Sequence, residues 1–140
     1  AKNMLSRLDS ILSSQPAKIF IMVGTNDLHR TPIEAIIEDY KRIVEQIEVR
    51  SPNSEVYVQS VLPVSEDRET TGRNNESIIE LNKRLNILAS QYKLTYVNLF
   101  SLFAGNDNRL NPEYTTDGLH LNGKGYLVWK NALQGYIRPL

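Results

Sequence analysis

Apolar residues recur at Met4, Leu5, Leu8, Ile11 and Leu12, offsets that set one apolar stripe along a helix. Gln15-Pro16 closes it. Ile19-Phe20-Ile21-Met22-Val23 is an unbroken apolar run, the pattern of a strand buried on both faces. Gly24-Thr25-Asn26-Asp27 follows directly and is expected on the loop at that strand's C-terminal end. Thr31-Pro32 predicts a helix start, with Thr31 as N-cap, Pro32 at the first helical position and Glu34 at capping-box spacing. Ile33, Ile36, Ile37, Tyr40, Ile43, Val44 and Ile47 supply its stripe. Ser51-Pro52-Asn53-Ser54 reads as a turn and Val56 to Val61 as the second strand. The polar stretch from Pro63 to Asn75 is a long loop, of a length that often carries function. Ile78, Leu81, Leu85, Leu88 and Tyr92 mark a further helix, and Leu94 to Leu99 a third strand. Gly105 to Thr116 is polar again and leads to Asp117-Gly118-Leu119-His120. A last helix starts near Asn122, carries Tyr126, Trp129, Leu133 and Ile137, and stops at Pro139.

Strands that alternate with long helices imply parallel β-α-β units and an α/β class, three-layer α/β/α sandwich. The whole of 1–140 reads as a single domain without internal repeats. In open parallel sheets the site lies beyond the C-terminal ends of the strands. Gly24 to Asp27 fall at such an end, and Asp117 and His120 follow the last strand, from where they can return to the same edge. The chain enters a helix at Ala1, whereas an α/β domain ordinarily opens on a strand, so the sequence is expected to start inside a domain.

Charge narrows the options. Sixteen basic side chains balance sixteen acidic ones, which argues against binding nucleic acid through phosphate neutralisation and against a polybasic membrane anchor. With no cysteine and only two histidines, thiolate chemistry and an all-histidine zinc site are excluded. No apolar run has the length of a membrane span. A cysteine-free chain suits cytoplasm, periplasm or an extracellular setting alike.

The chemistry concentrates in two places. Asp117 and His120 are three apart, so the carboxylate can reach Nδ1, fix the tautomer and leave Nε2 as a base toward a hydroxyl. A capping aspartate beside a surface histidine is the plain alternative. Asn26 can donate its side-chain NH₂ to an oxyanion, and Gly24 lets the backbone approach a ligand closely. The plain reading there is an Asx-turn, with Asp27 as a structural acceptor. His29 suits the substrate mouth or the open surface. Arg68 and Arg73 could bind a sugar or an acidic group, although a solvated charged loop is the default. Tyr114 could pack over a sugar or at the core's rim. Trp129 reads as core and Ser60 as structural.

Gly24-Thr25-Asn26-Asp27 resembles block III, and Asp117-Gly118-Leu119-His120 block V, of the SGNH (GDSL-type) serine esterases. Val58 to Pro63 and Gly125-Tyr126 are similar to small members of the family as well, so the likeness spans the whole chain in order and spacing. It implies a flavodoxin-like hydrolase of acyl esters of carbohydrates or lipids, without metal or organic cofactor. Asn26 and Gly24 would then belong to the oxyanion hole, His120 would be the general base and Asp117 its orienting partner.

One departure is large. The family's nucleophilic serine sits in a Gly-Asp-Ser block after the first strand, and a second block supplies a further oxyanion donor; neither occurs here. Ser6, Ser10, Ser13 and Ser14 all lie in or beside the first helix. By the resemblance the first two strands are absent, which leaves Ile19 to Val23 as a bare sheet edge. The expected partners are therefore a small ester substrate and the missing segment or another chain that completes the sheet. Loops of polar character around the presumed site favour a small acyl group, such as acetyl, on a polar alcohol. Two other readings are a non-catalytic binding module of the same fold, and a phosphate or nucleotide binder. The latter is disfavoured by the lack of a Gly-rich loop after any strand.

Overall fold

The computed structural model describes residues 2–22 and 25–137. Three short strands, β1 (Lys18–Ile21), β2 (Glu55–Gln59) and β3 (Thr95–Val97), form a parallel sheet in the order β1-β2-β3. Ile19 pairs with Val56, and Tyr57 with Thr95. Six helices accompany them among the described residues: α1 (Lys2–Leu12), α2 (Thr25–Arg30), α3 (Ile33–Arg50), α4 (Asn75–Gln91), α5 (Phe100–Phe103) and α6 (Gly123–Ile137). Val23 and Gly24 lie outside the described residues.

Alternation along the strands sorts the core into two layers, as a period of two requires. Ile19, Ile21, Val56 and Val58 face α1, α3 and α4. Phe20, Met22 and Tyr57 face the other way, toward Val128, Trp129, Leu133 and Tyr136 of α6. The sandwich is thus an α/β/α arrangement with its thicker helical layer on the α3 side. Tyr40, Ile43 and Val44 of α3 are fully enclosed; burial of an aliphatic side chain such as Ile43 or Val44 contributes roughly 1.5–3 kcal/mol. On the thinner face, the Phe20 and Tyr57 rings stack at 4.6 Å, and Tyr136 of α6 meets Tyr57 edge-on at 5.6 Å.

Two details of the sequence reading change. Residues 25–30 form the helix α2 rather than a loop, and Thr31 N–H closes it on Asp27 O at 2.7 Å. Thr31 is therefore not the cap of α3. Pro32 holds that position in extended conformation, and Ala35 and Ile36 donate to its carbonyl.

The loop that follows β2 is fixed by side chains of α4. Asn82 pairs reciprocally with Val61, accepting from its N–H at 2.7 Å and donating to its carbonyl at 3.0 Å. Asn75 does the same with Val64, at 2.9 and 2.8 Å. Both carboxamides are buried, and both are satisfied by a backbone that would otherwise be orphaned. Ser60, fully buried, accepts from the N–H groups of Leu99 and Phe100, both at 2.8 Å, and so ties the end of β2 to the start of α5. The strand ends that border the site are thereby held rigidly.

Candidate active site

The segment between β3 and α6 folds back over the C-terminal edge of the sheet. Thr115 and Leu121 form an antiparallel bridge that pinches residues 115–121 into a closed loop. Asn122 then starts α6: its Oδ1 accepts from Gly125 N–H at 2.9 Å, and its own N–H donates to Tyr114 O. Inside the loop, Thr115 Oγ1 donates to His120 O at 2.6 Å and accepts from Gly118 N–H at 2.9 Å.

This loop sets one carboxylate against one imidazole. Asp117 Oδ1 accepts from the N–H groups of Leu119 and His120 at 2.9 and 2.7 Å. Its Oδ2 lies 2.7 Å from His120 Nδ1. The two oxygens thus have separate tasks, one to shape the loop and the other to hold the ring. The backbone N–H of His120, the imidazole and the N–H of Leu119, in that order, keep the Asp117 carboxyl well below the usual carboxylate range. With Nδ1 engaged by a carboxylate, the proton of the neutral ring sits on Nδ1 and Nε2 carries the lone pair.

Gly118 makes the turn possible. Its φ is +81°, and a Cβ there would lie 2.9 Å from Ser65 Cβ and Oγ. Gly118→Ala is therefore expected to destabilise the protein by about 1–3 kcal/mol through strain alone and to loosen the His120 ring. Chemical denaturation, together with the NMR shift of the His120 ring, reads both effects; an unchanged denaturation midpoint would contradict this account of the loop.

His120 lines a cavity of about 250 Å³ with Met22, Leu62, Trp129 and Asn26 among its other walls. Asn26 lies in the first turn of α2, so residues 26 and 120, far apart in sequence, share one pocket. Trp129 is part of that wall rather than enclosed core: it is half-buried, and its indole N–H donates to the buried Gln59 Oε1 at 2.9 Å. Met22, Leu62, Leu119, Leu121, Tyr126 and Trp129 supply a mainly apolar lining, and Thr25, Asn26 and His120 are its polar members. His29 stays exposed on α2, with its Nδ1 3.2 Å from Thr70 Oγ1, and is not among the lining residues. Tyr114 packs edge-on against Phe103 at 5.5 Å. Gly24 falls outside the described residues.

Arg68 and Arg73 are not a solvated charged face. Arg68 Nε donates to Asp117 O at 2.8 Å, and Arg73 Nη1 to Asn26 Oδ1 at 3.1 Å. Sequence reasoning named both arginines but not these partners, and it missed Thr115; a threonine two residues before the Asp-x-x-His aspartate was the available signal for the last. Among the described residues no group of three or more His, Asp or Glu side chains is placed to hold a metal ion. No described helix is long and apolar enough to cross a membrane.

The family model of the GDSL-like lipase/acylhydrolase family matches residues 1–128. The chain is 28% identical over 129 residues to the N-acylneuraminate cytidylyltransferase of Escherichia coli O18:K1:H7, covering 86% of this chain and 28% of that protein. It is 30% identical over 129 residues to platelet-activating factor acetylhydrolase IB subunit alpha2 of Rattus norvegicus, covering 90% of this chain and 54% of the relative. The chain thus spans about half, or less, of the length of the curated relatives it matches. The crystal structure of a GDSL-like lipase from Bacteroides thetaiotaomicron superposes with a TM-score of 0.81 at 26% identity, covering 96% of this chain and 68% of that one. With the family model running through the α2 segment and the Asp117–His120 loop alike, the chain belongs to the GDSL-like lipase/acylhydrolase family.

Proposed function

We propose that this chain carries the general base, its orienting carboxylate and one oxyanion donor of a serine ester hydrolase, whose hydroxyl nucleophile lies outside these 140 residues. The observation that carries the reading is the 2.7 Å contact between Asp117 and His120 at a pocket that Asn26 also lines. A module that only binds need not keep Asn26, Asp117 and His120 together. None of the residues lining the pocket is a serine, and the sequence contains no Gly-Asp-Ser block.

The chemistry follows from the proton positions. His120 Nε2 takes the proton of the serine hydroxyl as its oxygen bonds to the acyl carbon. The carbonyl π pair moves onto oxygen, and the Asn26 NH₂ donates to that oxyanion. Asp117 offsets the positive charge that the imidazole acquires. Collapse of the tetrahedral species breaks the bond to the alcohol, which leaves with the proton from Nε2. Water then repeats the sequence on the acyl-serine and frees the acid. Loss of an oxyanion donor of this kind costs about 10²–10³ in kcat.

For the substrate, we propose a short acyl group, acetyl being the first choice, on a polar alcohol such as a carbohydrate. Support comes from the small cavity, whose lining holds only Thr25, Asn26 and His120 as polar members, and from the acetylhydrolase among the relatives. In the full-length protein, kcat/KM for p-nitrophenyl acetate is expected to exceed that for the octanoate by about tenfold or more, since each misplaced methylene costs on the order of 1–3 kcal/mol. A preference for the octanoate would remove the short-acyl reading and leave the base assignment standing.

A further inference from the structure

Two arginines of the 63–75 loop join the two halves of the site. Arg73 Nη1 donates to Asn26 Oδ1 at 3.1 Å. Its Nε and Nη2 both donate to the carbonyl of Arg68, at 3.2 and 3.0 Å. Arg68 Nε in turn donates to the carbonyl of Asp117 at 2.8 Å. A continuous path of hydrogen bonds therefore runs from Asn26 through Arg73 and Arg68 to Asp117 and His120.

The loop that carries these arginines is itself tied down. Thr70 N–H donates to Arg73 O at 2.7 Å, and Arg73 N–H donates to Thr70 Oγ1 at 2.9 Å. Ser65 N–H donates to Gly118 O at 2.9 Å. A Cβ on Gly72 would lie 2.5 Å from the carbonyl oxygen of Leu28, so the loop backbone rests on α2 at a separation that only glycine permits. Arg73 is half-buried, not a free surface cation.

A guanidinium donates and never accepts. It must face the oxygen of the Asn26 carboxamide, because the flipped amide would oppose donor to donor. The Asn26 nitrogen then faces away from Arg73. The cation also draws density toward the amide oxygen and strengthens the N–H groups as donors. The geometry points to Arg73 as a positioning residue: it sets the donor orientation of Asn26 and, through the Arg68 carbonyl, ties that donor to the Asp117–His120 loop. The inference rests on the reading of Asn26 as an oxyanion donor and adds to it the device that aims the donor.

The test is Arg73→Ala in the full-length protein, alone and combined with Asn26→Ala. The single variant is expected to lose about 10- to 100-fold in kcat with KM nearly unchanged, because the oxyanion exists only at and beyond the transition state. In the Asn26→Ala background the same change is expected to cost less than about 3-fold, the signature of residues that act as one unit. A loss equally large in both backgrounds would overturn the proposal. Nitrogen relaxation of the Asn26 side-chain amide supplies a readout that needs no turnover: rigid in the wild type, mobile in Arg73→Ala. An amide equally ordered in both proteins would also overturn it. Arg73→Met, which keeps the aliphatic stem, takes the place of the alanine variant if that one fails to fold. If the wild type hydrolyses no ester, or His120→Ala keeps full activity, the proposed function fails, and the amide measurement still judges Arg73.

Discussion

Replacing His120 by alanine is expected to lower kcat for ester hydrolysis by about four to six orders of magnitude, with little change in KM. In the proposed mechanism the imidazole takes the serine proton and must return it to the alcohol. Its side chain is 69% exposed, so its removal leaves no cavity. The stability of the variant should stay within about 0.5 kcal/mol of wild type, as for other surface changes. Steady-state kinetics on a p-nitrophenyl ester, with a thermal melt of the same preparations, separates catalysis from folding. Near-full activity in the variant would show that Nε2 is not the base.

Asp117→Asn should be nearly as damaging, at about 10⁴-fold in kcat. The reason lies in the division of labour between the two carboxylate oxygens. An asparagine can keep its Oδ1 on the N–H groups of Leu119 and His120, so the loop persists. Its NH₂ then replaces Oδ2 and faces Nδ1 as a donor. The ring must respond by accepting at Nδ1 and carrying its proton on Nε2, the tautomer that cannot take a proton from serine. A two-dimensional nitrogen–proton spectrum of the ring reports the tautomer directly. Retention of the Nδ1-protonated form together with a large rate loss would mean that Asp117 acts through charge and not through orientation.

The lowered Asp117 pKa fixes the sign of the pH dependence. Its ionised form is favoured by the fold, so this contribution to stability is fully present above the ordinary carboxylate value of about 3.9. It is lost only as pH falls below that range, through the depressed folded value. Asp117 therefore remains ionised through the neutral and mildly acidic range. The acid limb of the kcat/KM profile is expected to carry no proton from this carboxylate and to fall with a slope of one. A slope of two would show the carboxylate titrating in the same window.

How legible each feature was in the sequence follows from how local it is. The stripes of α3 and α4 persist over several turns, and burial follows them at Ile36, Ile37, Tyr40, Ile43, Val44 and Ile47 and at Ile78, Leu81, Leu85 and Leu88. Asp117 and His120 are three apart in one loop, so their contact is visible in the spacing. The helix α2 buries only Leu28, and one residue makes no period; its Thr, Asn and Asp read naturally as turn formers. Trp129 shows the limit of helical spacing, which marks an inward face but not whether a pocket or a packed layer lies opposite. Asn75 and Asn82 are seven apart on one face of α4, but their partners Val64 and Val61 lie 11 and 21 residues away, so local pattern gave no sign of their role. Arg68 and Arg73 could not be placed at all from local pattern, because their partners lie 49 and 47 residues away.

The most direct test of the account is labelling of the full-length protein with a fluorophosphonate, read by intact mass and then by peptide mapping. One adduct is expected, on a serine outside these 140 residues, and His120→Ala should abolish its rapid formation. An adduct on Ser60, Ser65 or any other serine of this chain, or labelling as fast in His120→Ala as in the wild type, would contradict it.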